Sequence, residues 1–75
     1  MTQQPKTVIQ NAITANLAAL AQRLTDAADL ARQAHDAMKE GEQNQAIGTI
    51  ISFEQLLPEA AALFNAAIAL HRNRL

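Results

Sequence analysis

From residue 13 onward, apolar side chains recur at Ile13, Leu17, Leu20, Leu24, Ala27, Ala31, Ala34 and Met38. The steps alternate four and three. This is heptad spacing, which keeps one stripe of a helix turned toward a partner helix. Around the stripe sit Gln10, Thr14, Gln22, Asp26, Asp29, Arg32, Gln33, Asp36, Lys39 and Glu40, the polar surround of a helix with one side in water. Pro5 suits a first helical turn, where its missing N–H is no loss, with Thr2 or Gln4 near the cap. The pattern predicts a helix over about 5–40. A fresh start capped by Thr25 is a weaker reading than continuity. Gly41 is a natural left-handed C-cap, residues 41–44 form the loop, and Asn44 is a suitable N-cap for a second helix.

The second helix is predicted over about 44–73, and its pattern differs. Phe53, Leu56, Ala60, Leu63, Ala67 and Leu70 form one stripe; Ile47, Ile50, Leu57, Ala61, Phe64 and Ile68 form another beside it. Together they cover more than half the circumference, so this helix needs more than one neighbour. Pro58 falls in its middle. A chain reversal there would give a three-helix bundle, but Leu56-Leu57-Pro58-Glu59 holds no loop residue. One long helix kinked at Pro58 fits better, and such a kink bends a helix around a partner. Ser52-Phe53-Glu54-Gln55 resembles a capping box, which extends the expected irregularity over 52–58.

Two long helices and a short loop make an antiparallel hairpin. With the turn centred near Glu42, Met38 should meet Ile47, Leu24 should meet Ala61, and Leu17 should meet Ile68. Leu56, Leu63 and Leu70 would then lie uncovered, forfeiting on the order of 10 kcal/mol with their neighbours. The expected solution is an all-α, dimeric four-helix bundle with the second helices inside. Its oligomer interface would use Ile50, Phe53, Leu56, Leu57, Leu63, Phe64 and Leu70. Gly48 and Ser52, four apart, could form a notch for a closely approaching helix.

Composition narrows the function. The 75 residues make one domain, alanine-rich and without cysteine, so no disulfide or thiolate metal site supports it. Formal net charge is −1, and the six basic residues, Lys6, Arg23, Arg32, Lys39, Arg72 and Arg74, are scattered. With no Trp or Tyr, a nucleic-acid surface is not expected. The N-terminus lacks the basic start and apolar core of a signal peptide. Glu54, Pro58, Glu59 and Asn65 interrupt the closest approach to a membrane span. A cytoplasmic protein is the expectation.

Few residues suggest chemistry. His35 sits in a run, Arg32 to Glu40, that reads as a solvated face of short-range ion pairs. His71, Arg72 and Arg74 offset the dipole of the final turn. Glu54, Asn65 and Arg72 align between the apolar stripes. The plain reading is a boundary ion pair, Glu54 lying near Arg32; the functional one is a polar pocket. Ser52 is the only serine and has no activating pair. No catalytic, cofactor-binding or metal-binding residue is assigned.

The expected function is therefore non-enzymatic: a homo-oligomeric helical hairpin, dimer or tetramer, that binds another protein as regulator, adaptor or inhibitor. Arg23, Asp26 and Asp29, or the basic tip at Arg72 and Arg74, would meet that partner. In length and layout the whole chain resembles the small hairpin subunits of type III secretion chaperone pairs, which implies a heteromeric co-chaperone. It is also similar in shape to Rop-type hairpin dimers, which bind RNA, although the dense basic face such binding requires is missing.

Overall fold

The computed structural model describes residues 5–73. The first helix, α1, spans Pro5–Lys39 without interruption, as its heptad pattern requires. Thr25 caps nothing: its hydroxyl donates back to the Ala21 carbonyl at 2.9 Å, the bond a threonine makes inside a helix. Thr2 and Gln4 lie outside the described residues.

Gly41 ends α1. It has φ 79°, a conformation that any side chain would strain. Its N–H donates to the Met38 carbonyl and the Glu42 N–H reaches back to Ala37, both at 2.9 Å. These two bonds are a Schellman closure, satisfying carbonyls the helix leaves open. α2 comes at once over Gln43–Ile50, entered through Glu42 without a side-chain cap. Asn44, expected as the cap, lies inside α2.

α3 spans Phe53–Arg72, and Pro58 lies within it. The bend falls at Ile51 and Ser52, at the upstream edge of the expected 52–58 stretch and not at Pro58 itself. Both keep right-handed helical torsions, so the arm tightens without reversing. Glu54 and Gln55 donate to Ile51 and Ser52, three residues back, at 3.1 and 3.0 Å, the bonding of a 3₁₀ turn. The cause is geometric. A proline ring crowds the carbonyl four residues before it, here that of Glu54, and the backbone yields just ahead of that residue. Ser52 makes no side-chain capping bond, so the capping-box reading fails.

Both α2 and α3 pack against α1, and the register differs from expectation. The Schellman closure centres the turn on Gly41. Arg23 consequently meets Glu59, where a turn near Glu42 would have given it Ala62. Three residues on a helix amount to a rotation of roughly 60° between neighbouring stripes. The seam of α1 therefore keeps Ile13, Leu20, Ala27 and Ala34 but pairs them with Ile9, Asn16, Arg23, Leu30 and Ala37. Leu17, Leu24 and Met38 are left about half exposed. On the second arm Phe53, Leu56, Leu63 and Leu70 are half-buried around buried Ala60 and Ala67, whereas Ile47, Leu57 and Phe64 are exposed. The expected pairings Met38–Ile47, Leu24–Ala61 and Leu17–Ile68 are overturned.

The seam is lined with small residues. The buried hydrophobic side chains are Ala27, Ala34, Ala37, Ala46, Ala60 and Ala67, and no large one is fully buried among the described residues. The extents, 61 × 18 × 12 Å, describe a slab one helix thick. Its radius of gyration, 17.4 Å, compares with about 11 Å for a compact domain of this length.

Gly48 is exposed, and a Cβ built on it meets nothing within 4 Å. The notch expected around Gly48 and Ser52 is not used within the chain. Gly48→Ala is accordingly expected to raise stability by up to about 1 kcal/mol, measured by urea unfolding. A loss would mean that another chain lies against this position.

Candidate functional site

The seam divides the slab into two unlike faces. A right-handed helix and its antiparallel neighbour turn in opposite senses when viewed from one end. The residues just after the seam on α1 (Leu17, Leu24, Ala31, Met38) and on the second arm (Ile50, Leu57, Phe64) therefore swing to the same side. That face carries no carboxylate, lysine or arginine at these positions. Leu17, Leu24, Met38, Leu57 and Phe64 are each about half exposed there. Ile50 leans inward against the cluster of Ala34, Ala37 and Ala46.

The residues just before the seam swing to the other side, and there the chain is polar. Arg23 Nε donates to Glu59 Oε1 at 3.0 Å. Gln55 Nε2 donates to Glu59 Oε2, also at 3.0 Å. Gln22 Nε2 donates to Asp26 Oδ1 at 3.0 Å. Arg23, Asp26, Ser52, Gln55, Leu56 and Glu59 line a shallow, open depression beside the bend. The Arg23 and Glu59 side chains are 39% and 41% exposed, so water screens the pair and its net worth is below about 1 kcal/mol. It marks the register that the turn sets and adds little stability.

The residues singled out in the sequence are dispersed. Of the expected interface set, Leu57 and Phe64 are exposed on the apolar face, whereas Ile50, Phe53, Leu56, Leu63 and Leu70 are half-buried along the seam. Of the expected partner-binding set, Arg23 and Asp26 are half-buried on the polar face and Asp29 is exposed, paired with Arg32. Arg72 is exposed in the last turn of α3 beside His71, and Arg74 lies outside the described residues. Glu54 and Asn65 are exposed, and Arg32 bonds to Asp29, so no polar pocket forms around Glu54. Among the described residues no polar side chain is buried and no group of His, Asp or Glu is placed to hold a metal.

Taken across its bend, the second arm from Gln43 to Arg72 reaches the length and composition of a membrane-crossing helix, with mean hydropathy 1.2 and 6% of that window buried. Compared with known proteins, the chain matches no family model, no curated protein and no solved structure.

Proposed function

We propose that this chain is a non-enzymatic protein–protein interaction module of the cytoplasm. It acts as a homo-oligomeric helical hairpin in which two copies close a four-helix bundle. The observation that carries this reading is the absence of any fully buried large side chain among the described residues. A compact globule of 8.1 kDa exposes about 4,500 Å², whereas this chain exposes 5703 Å². A lone hairpin thus lacks the core that a domain without disulfides or metal needs, and a second copy supplies it. The outward polar surface, with Asp29 and Arg72 exposed, is then left to a partner protein, in the role of regulator, adaptor or inhibitor.

Sedimentation of the purified chain at micromolar concentration tests the reading. The expected result is the mass of two chains, with an unfolding midpoint that rises with concentration. A single chain that unfolds cooperatively at a concentration-independent midpoint would overturn it. Solubility only on co-expression with a second gene product would replace it with the heteromeric co-chaperone.

A further inference from the structure

We infer that the second copy docks on the face bearing Leu17, Leu24, Met38, Leu57 and Phe64. This rests on the homo-oligomeric reading above and adds which surface is covered.

Periodicity is the first support. Leu17, Leu24, Ala31 and Met38 repeat every seven residues, and so do Ile50, Leu57 and Phe64. That is the heptad of a packed seam, yet the hairpin's own seam runs along the positions beside it. The register that Arg23 and Glu59 mark places Leu17 within a residue of the level of Phe64 and Leu24 of Leu57. The face is therefore a ladder of apolar rungs on a slab only 12 Å thick, the shape that stacks on a copy of itself.

Area is the second support. The face runs along a molecule 61 Å long and 18 Å wide. A standard interface covers about 800 Å² on each partner, which a face of these dimensions has room for.

Charge selects the occupant. The opposite face is charged, with Asp26, Asp29, Asp36 and Glu59 beside Arg23 and Arg32, and covering it would take the Arg23–Glu59 and Asp29–Arg32 pairs out of water at a cost. By heptad position the rim of the apolar face holds Thr14, Ala21, Ala28 and His35 on α1, and Ile47, Glu54, Ala61 and Ile68 on the second arm. It lacks the lysines and arginines that hold an amphipathic surface against anionic lipid. Val8 and Ile51, also exposed, lie off this face, where single apolar side chains are ordinary.

The test compares Leu24→Asp and Leu57→Asp with the opposite-face pair Gln22→Lys and Gln55→Lys by sedimentation. Each leucine variant is expected to raise the dimer dissociation constant at least ~100-fold, with the lysine pair still dimeric. Circular dichroism reports whether each variant keeps its helices. Because the chain has no cysteine, a second readout does not depend on dissociation. A single Leu24→Cys is expected to be shielded from a maleimide reagent, and Gln22→Cys to react freely. A dimeric wild type that shields Gln22→Cys and leaves Leu24→Cys reactive would overturn the assignment while sparing the proposed function. A monomeric wild type would overturn both. Loss of the dimer to vesicles of phosphatidylcholine and phosphatidylglycerol would give the face to lipid.

Discussion

Ala34→Asp is expected to cost about 3–5 kcal/mol, the penalty of a buried charge without a partner, and so to leave little of a small domain's stability. Ala34 is 7% exposed and packs with Ala37, Ala46 and Ile50. A carboxylate there has no cation at hand. Arg32 is already bonded to Asp29, and Lys39 is exposed at the helix end. The site also lies toward the negative end of the α1 dipole, which disfavours a further negative charge. Gln33→Asp is the control, because Gln33 is exposed one residue away and experiences nearly the same dipole. Urea unfolding should show the first variant largely unfolded and the second within about 0.5 kcal/mol of the parent. Equal effects from the two would mean that the alanine seam is not where the helices meet.

Pro58→Ala is expected to act in the opposite direction, with a gain of up to about 3 kcal/mol. Pro58 is exposed, so no packing is lost with the ring. Alanine restores an N–H for the Glu54 carbonyl and removes the crowding that tightens Ile51 and Ser52. The measurable signs are a higher urea midpoint and added helical ellipticity. If stability falls instead, the bend is what keeps α2 and α3 on α1 together, and straightening the arm separates one of them from its seam.

These two substitutions mark where the sequence is and is not legible. The heptads identify two long antiparallel helices, and Gly41 identifies the turn, because both signals are local. The line Ile13, Leu20, Ala27 and Ala34 is legible as seam. Which flank accompanies it is not, because the chain offers two. Leu17, Leu24, Ala31 and Met38 form the more hydrophobic flank, so hydrophobicity selects it. The turn decides otherwise, since its hydrogen bonds set a register that brings Ile9, Asn16, Arg23, Leu30 and Ala37 inward. The mixed character of that second flank is a usable signal. A lone arginine beside a seam favours a carboxylate across the hairpin, and Glu59 lies there. Pro58 is legible as a source of irregularity but not as its site, because a proline strains the turn before it. The bonds that tighten, from Glu54 and Gln55, carry no mark in the sequence that proline alone does not explain.

The chain reverses through two residues: Gly41, the only one of the described residues with positive φ, and Glu42, whose ψ of 70° is not helical either. Were Gly41 and Glu42 both to turn right-handed helical, α1 and α2 would fuse into a single rod, and each arm would find its seam on another molecule. Exchange of arms between copies keeps the seam pairing and gives up only the turn's own hydrogen bonds, with the backbone change confined to Gly41 and Glu42. The hairpin and an arm-swapped rod are thus neighbouring forms of one sequence, separated by the conformation of a two-residue turn.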